Sequence, residues 1–125
     1  MSTIAVILSF VLAVVGLLSG AIKFSGAQMA TEAPEHLGIP VGQYKLAGAL
    51  ELLAAVGLVL AALDVVSSSL GAAAAFGFAL LMVFAIVFHL RAGDSFAPSG
   101  PGGDAWAPAA FVLLLSVVTG VLILV

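Results

Sequence analysis

The ionisable residues that lie in or beside the apolar segments of this chain are its best candidates for chemistry. Glu51 lies within an otherwise apolar stretch, residues 46–63, where a charge costs about 2.5–3.5 kcal/mol if the stretch crosses a bilayer. Lys23, Tyr44 and His89 stand near the ends of similar stretches. A carboxylate with one or two neighbouring donors suits proton transfer to a lipophilic molecule. A quinone is the most economical ligand of this kind, because it needs only an apolar pocket and one or two protonatable donors.

Three apolar segments each carry a stripe of small residues that ends in a polar one. Residues three or four positions apart share one face of an α-helix, and small residues let helices approach closely. The stripes are Gly16, Gly20 and Lys23; Tyr44, Gly48 and Glu51; and Met82, Ala85 and His89. Helix packing is predicted at four glycines: Gly16, Gly20, Gly48 and Gly77. The stripes place Lys23, Glu51 and His89 toward one side of the membrane, where a polar cluster is expected.

The same residues also support structural interpretations, which the sequence leaves open. Glu51 paired with Lys23 or Lys45 would hold helices together, and a protonated Glu51 near the interface would instead face lipid. His89 fits a cap at the C-terminal end of its helix, where an imidazolium meets the negative end of the helix dipole. Glu51, Lys23, Tyr44 and His89 are therefore candidates for ligand binding or proton handling, without a catalytic assignment.

No metal site is predicted. Glu32, Glu35 and His36 lie close together in the chain, but two carboxylates and one histidine on a loop are a weak ligand set. His36 is expected to be a solvated loop residue. The absence of cysteine excludes disulfides, thiolate metal sites and dithiol redox chemistry within this chain.

The composition indicates a membrane protein. The chain has 125 residues, of which 64% are hydrophobic and 7% charged, and its mean hydropathy is +1.38. Soluble domains carry about 25% charged and about 45–50% apolar residues. Three basic residues and a net charge of −3 exclude nucleic-acid binding. Few polar groups remain for hydrolytic chemistry, and no nucleophile–base pair or phosphate loop is present, so no self-sufficient enzyme is predicted.

Four apolar segments must position the candidate residues, and each is predicted to be a transmembrane helix. The predicted spans are residues 3–22, 44–63, 70–90 and 106–125. A segment of about 20 apolar residues matches the thickness of a bilayer, and a helix satisfies its backbone in lipid. The predicted fold is all-α: one domain, residues 1–125, with four transmembrane helices in an antiparallel bundle. The first span has no basic n-region, and its apolar run is longer than a secretory h-region. It is therefore interpreted as a retained helix, with cleavage near residues 19–21 as the alternative.

The links between the spans predict further features. The first link, residues 24–43, is expected to hold a short surface-lying or partly re-entrant piece, and residues 64–69 a tight polar hairpin. Residues 92–105 are rich in Gly, Pro and Ser, above all at 98–103, and are expected to be irregular and exposed. All three basic residues lie on the side of the first and third links, so the positive-inside rule places both termini outside the cytoplasm.

These motifs resemble those of the DoxX-like membrane proteins. The matching patterns are Gly16-x-x-x-Gly20-x-x-Lys23; Tyr44-x-x-x-Gly48-x-x-Glu51 followed by Gly57; and Met82-x-x-Ala85-x-x-x-His89-x-Arg91-x-Gly93-Asp94. The resemblance covers roughly residues 16–94 and the four-span layout. It implies a four-helix integral membrane protein, with Lys23, Glu51 and His89 at the polar positions of the pattern. Relatives in this family are tied to quinone-linked sulfur oxidation and to membrane complexes that handle oxidative stress.

Three hypotheses follow for the function. The first is an accessory subunit of a redox system in a bacterial inner membrane, whose polar cluster binds a quinone or another lipophile. The second is a structural or assembly protein, in which Lys–Glu pairing holds the bundle and the outer faces dock another membrane or membrane-associated protein. The third is a small dimeric transporter, supported only by the glycine face of the first span. The lipid bilayer is a partner in all three.

Overall fold

The computed structural model describes residues 1–98 and 104–125, which form five α-helices. They are α1 (Thr3–Phe24), α2 (Gln28–Leu37), α3 (Val41–Ala62), α4 (Ser68–Arg91) and α5 (Ala107–Leu124). Four of them, α1, α3, α4 and α5, are long and apolar enough to cross a membrane. The prediction of an all-α membrane protein with four spanning helices is therefore confirmed.

The predicted helix boundaries differ from the observed ones by a few residues. The largest difference is at α3, which begins at Val41 rather than at Tyr44. The carbonyl oxygen of Pro40 accepts a hydrogen bond from the Tyr44 amide at 3.2 Å and so opens the helix. Proline suits this place because it has no N–H group of its own to satisfy. Hydropathy alone missed this turn because Gly42 and Gln43 are not strongly apolar.

The four long helices form a closed antiparallel ring. Helix α1 packs on α3 and α5, and α4 packs on the same two helices. A Cβ added to Gly71, near the start of α4, would lie 2.6 Å from Ala61, 3.3 Å from Met1 and 3.7 Å from Ile123. The start of α1 and the ends of α3 and α5 therefore meet at one end of the bundle, together with both chain termini.

Helices α1 and α3 approach each other most closely at glycines. A Cβ on Gly20 would lie 2.7 Å from the Gly48 carbonyl oxygen, and a Cβ on Gly48 would lie 2.9 Å from the Cβ of Lys23. One turn earlier, a Cβ on Gly16 would meet the Phe78 ring at 2.6 Å. This close approach brings the end of α1 directly beside the first half of α3, which carries Glu51.

Gly77 does not lie at a close contact between helices, although its spacing predicted helix packing there. It lies on an exposed face of α4, and no atom of the described residues lies within 4 Å of the place that a Cβ would take. Helix α4 carries two stripes of small residues with the same spacing of four. The stripe of Gly71, Ala75 and Ala79 is buried, whereas the stripe of Ala73 and Gly77 is exposed. Spacing alone does not distinguish the two faces.

The interior of the ring is packed with apolar side chains, and its buried hydroxyl groups are satisfied locally. Ser9, Ser116 and Thr119 are each fully buried. Each hydroxyl donates to the carbonyl oxygen four residues earlier in its own helix at 2.7 Å. These residues therefore need no partner from another helix, and they lie outside the site described below. Large apolar side chains cover much of the outer surface, as expected for contact with lipid.

The first link contains a short helix, α2. Helix α2 packs against α1, α3 and α4 at the end of the bundle opposite the chain termini. It ends at Gly38, which adopts the left-handed conformation at φ 69°. The predicted short piece in this link is therefore helical. His36 lies in its last turn and is not a loop residue, although it is exposed, as expected.

The second link is a tight turn, as predicted. It joins α3 to α4 through residues 63–67, with Asp64 at a φ of 59°. The Ser67 hydroxyl oxygen accepts a hydrogen bond from the Leu70 amide at 3.3 Å and caps α4.

The two ends of the third link are ordered against each other. Ser95 and Ala105 form a parallel bridge, and the Trp106 amide donates to the Ser95 carbonyl oxygen at 3.2 Å. The rings of Phe96 and Trp106 pack edge to face, with centroids 4.8 Å apart. The described ends of this link are thus less irregular than predicted. The predicted exposed run of Pro98 to Gly103 lies, apart from Pro98, outside the described residues.

Candidate functional site

A cavity of about 720 Å³ extends from the interior of the bundle to α2. Such a volume is suited to a small organic molecule, since ligand pockets measure about 300–1,000 Å³. All five helices contribute to its lining, which is mostly apolar and includes Phe78, Leu81, Met82, Phe84, Phe88 and Val112. The polar side chains that line it are Ser19, Lys23, His36, Gln43, Tyr44, Glu51, His89 and Asp104. The cavity therefore combines apolar walls with a limited set of polar groups.

Lys23 and Glu51 form an ion pair in the wall of this cavity. The Lys23 Nζ lies 3.0 Å from Glu51 Oε1 and 3.3 Å from Oε2. The Glu51 side chain is only 3% exposed and that of Lys23 15%, so the pair is well shielded from solvent. Lys23 Nζ also donates to the hydroxyl oxygen of Ser19 at 2.9 Å. The close approach of α1 and α3 makes this contact possible, because no side chain separates the two backbones there.

Tyr44 completes the surroundings of the Lys23 ammonium group. Its ring centroid lies 5.3 Å from Lys23 Nζ, within the range of a cation–π interaction. Within the described residues its hydroxyl makes no hydrogen bond, and Tyr44 lines the cavity. The hydroxyl is therefore available to a ligand. Lys45, the other cation considered for Glu51, is exposed on α3 and does not pair with it in the described part of the chain.

His89 does not join Lys23 and Glu51 in one cluster. Its Nδ1 lies 2.6 Å from Asp94 Oδ2. Since an ionised carboxylate only accepts hydrogen bonds, Nδ1 of His89 is the donor. Asp94 also accepts from Nε2 of His36, at 2.8 Å to Oδ1 and 3.0 Å to Oδ2. His36 Nε2 lies 3.5 Å from Asp104 Oδ2 as well. The expected Lys–Glu–His cluster is therefore two clusters that share one cavity.

The backbone turns Asp94 toward both histidines. Helix α4 ends before Gly93, which has a φ of 83°, a conformation that glycine adopts without strain. The chain then folds back, and the Asp94 amide donates to the His89 carbonyl oxygen at 3.0 Å. The bridge between Ser95 and Ala105 brings Asp104, which directly precedes Ala105, to the same place.

The Asp94 carboxyl is held in its ionised form. The hydrogen bond from His89 lowers the pKa of Asp94 below its ordinary value, and His36 adds to this effect, although partial burial opposes it. Because the pKa is lower in the folded chain, the resulting stabilisation is complete above the unfolded value of about 3.9. It is lost as the pH falls through the folded pKa.

Asp94→Asn should loosen α2 from the bundle. The substitution removes the charge that joins His36 on α2 to His89 on α4. The loss of the charge-assisted hydrogen bonds frees α2 from α4, so exchange of the α2 amides should speed up at least about tenfold. Hydrogen exchange of the α2 amides measures this rate, with a chelator present to exclude trace metal ions. The control is Glu35→Gln, at an exposed position of α2. Equal protection of α2 in the Asp94→Asn protein and the wild type would contradict the prediction.

Five polar residues of the site were not predicted from the sequence as site residues: Ser19, His36, Gln43, Asp94 and Asp104. Ser19 gave no signal, since a serine in an apolar helix commonly bonds its own backbone. Asp94 follows His89 by five residues across a glycine, a spacing that matches no helical face. Asp104 meets His36 only through the tertiary fold.

Comparison with known proteins gives one positive finding. A family model described as the DoxX-like family matches residues 7–119, which is nearly the whole chain. The matched region includes α2, α3 and α4, most of α1 and α5, and both polar clusters. No curated protein and no solved structure matches the chain significantly.

Proposed function

This chain belongs to the DoxX-like family, and we propose that it is an accessory subunit of a membrane redox system that binds a quinone or another lipophile. The observation that carries the proposal is the cavity of about 720 Å³ with apolar walls and polar side chains at one end. The multi-pass membrane character places such a cavity within reach of lipid-soluble molecules.

The free polar groups suit the head group of a quinone or quinol. Tyr44 lines the cavity with a hydroxyl that is free among the described residues and can donate to a carbonyl oxygen. His89 also lines the cavity, and because its Nδ1 donates to Asp94, its Nε2 is the acceptor of the neutral ring and suits a quinol hydroxyl. The Lys23–Glu51 pair supplies a fixed dipole beside Tyr44. In our proposal these groups orient the polar head of the ligand, and the apolar walls receive its ring and tail.

An accessory role agrees with the side chains that this chain contains. Because the chain has no cysteine, any thiol or disulfide step of the proposed redox system would take place on a partner. The exposed apolar faces of the long helices offer contact area for another membrane protein. We further propose the bacterial inner membrane as its location. The positive-inside rule would then direct the cavity end, which carries Lys23, Lys45 and Arg91, toward the cytoplasm and the termini away from it.

Quinone titration tests the proposal. Trp106 is the only tryptophan, and it directly follows Ala105, which lines the cavity. A short-chain quinone should therefore quench its fluorescence saturably in detergent. Glu51→Gln should weaken binding at least about tenfold, because it removes a buried charge that orders Lys23 and Tyr44. Glu35→Gln alters an exposed residue of α2 away from the cavity lining and should bind as the wild type does. Equal affinities in all three proteins would refute a polar site at Glu51.

A structural or assembly role is the second candidate, and one observation favours it. Both carboxylate oxygens of Glu51 contact Lys23, so the pair can hold α1 and α3 together without any ligand. In this case the wild type would show no saturable quinone quenching. A loss of stability in Glu51→Gln is expected for either role, because both contain the ion pair.

A further inference from the structure

One cluster at the mouth of the cavity combines ligand atoms of the kinds that transition metals bind. His36, Asp94 and Asp104 each offer one such atom, and the three atoms lie within 4.8 Å of one another. One imidazole nitrogen and two carboxylate oxygens form a mixed nitrogen and oxygen set, which suits zinc and its first-row neighbours. This set differs from the Glu32, Glu35 and His36 group that the sequence brought to notice.

The distances fit a single ion. His36 Nε2 lies 2.8 Å from Asp94 Oδ1 and 3.5 Å from Asp104 Oδ2. Two ligands bound tetrahedrally at about 2.0–2.1 Å stand about 3.3 Å apart. The two separations from His36 bracket this value, and all three atoms lie within 4.8 Å of one another. Rotations of the exposed His36 and Asp104 side chains would bring the three atoms around one ion.

The surrounding structure holds the ligands in place. The Asp94 side chain is only 7% exposed, and His89 donates to its Oδ2, which leaves Oδ1 directed toward His36. Second-sphere hydrogen bonds of this kind orient carboxylate ligands at metal sites. Asp104 is held by the bridge next to it, between Ser95 and Ala105.

We propose that His36, Asp94 and Asp104 bind one divalent transition-metal ion, such as Zn²⁺, at the mouth of the cavity. The ion takes the place of the proton that His36 Nε2 shares with Asp94. Three protein ligands leave one coordination position open. His36 and Asp104 line the cavity, so this position is accessible to water or to a molecule inside it. The ion would also join α2 to the link between α4 and α5.

Cobalt titration tests this site directly. Protein purified without a histidine tag and stripped with a chelator is titrated with Co²⁺, whose visible absorption reports its coordination, and Zn²⁺ then competes for the site. The wild type should bind one equivalent. His36→Gln and Asp104→Asn should each weaken binding at least about tenfold. Glu35→Gln, the neighbour of His36 on α2, should bind as the wild type does. Asp104 is 53% exposed, so its replacement should leave the fold intact, which circular dichroism verifies.

Two results would overturn the proposal. One is the absence of stoichiometric Co²⁺ binding by the wild type, and the other is unchanged affinity in both ligand variants. The titration requires no quinone, and the quinone titration on chelator-treated protein requires no metal. The metal site and the proposed function therefore fail or stand separately.

Discussion

Replacing Gly20 with alanine should lower the free energy of unfolding by about 2 kcal/mol or more. The added methyl group would lie 2.7 Å from the backbone carbonyl oxygen of Gly48 and 2.7 Å from Leu52 Cγ. A carbonyl oxygen in a helix cannot move aside alone, so α1 and α3 must separate. That separation draws Lys23 away from Glu51, and the cavity wall loses its ion pair.

Gly77→Ala is the matched control for this experiment. It makes the same substitution inside a spanning helix, but in the described part of the chain nothing lies within 4 Å of the new methyl group. It should leave the stability unchanged or raise it by up to about 1 kcal/mol, because alanine favours a helix over glycine. Unfolding by SDS in mixed micelles measures both variants. If Gly20→Ala is as stable as Gly77→Ala, the close approach of α1 and α3 is not what holds this interface.

Lys23→Met should destabilise the protein more than Glu51→Gln, although both changes break the same ion pair. Lys23 Nζ keeps the hydroxyl of Ser19, its carbonyl oxygen and the Tyr44 ring as partners when Glu51 is neutralised. Glu51, in contrast, has only Lys23 as a partner among the described residues. Leaving a buried charge unpaired costs about 3–5 kcal/mol, whereas losing one hydrogen bond to a charged group costs about 1.5–3 kcal/mol.

The double variant separates pairing from other effects of the two substitutions. Lys23→Met with Glu51→Gln should recover part of the stability that Lys23→Met loses, because no charge then remains unpaired. The same SDS titration gives all four free energies of the cycle. Strictly additive losses would show that the two residues do not interact in the folded protein.

The sequence predicted the features that depend on local pattern. Four apolar runs of membrane length sufficed to predict the fold. The largest change in a helix boundary is at the start of α3, which Pro40 opens. The spacing of Gly20 and Lys23 predicted one face of α1. The same spacing of Gly48 and Glu51 predicted a matching face of α3. The pairing of Lys23 with Glu51 was one of the stated alternatives, because both charges lie toward the same side of the membrane.

The second polar cluster, formed by His36, His89, Asp94 and Asp104, could not be predicted from local pattern. His36 reaches Asp94 because α2 folds over the end of the bundle, a position that depends on tertiary packing and not on periodicity. Asp104 joins them through a bridge across the third link, far from His36 in the chain. His89 was assigned to the wrong cluster, since the left-handed turn at Gly93 returns Asp94 to it. Gly77 was wrongly assigned to helix packing, because small residues spaced four apart occur on two faces of α4 and only one of these faces is buried.

Native mass spectrometry on protein extracted from its membrane in mild detergent tests ligand binding most directly. The wild type, Glu51→Gln and Glu35→Gln are compared side by side. We predict that the wild type and Glu35→Gln carry one small lipophilic molecule, of quinone mass or of another single defined mass, and that Glu51→Gln has lost it. Wild-type protein free of any small molecule, or the same bound molecule in all three proteins, would contradict a ligand site built around Glu51.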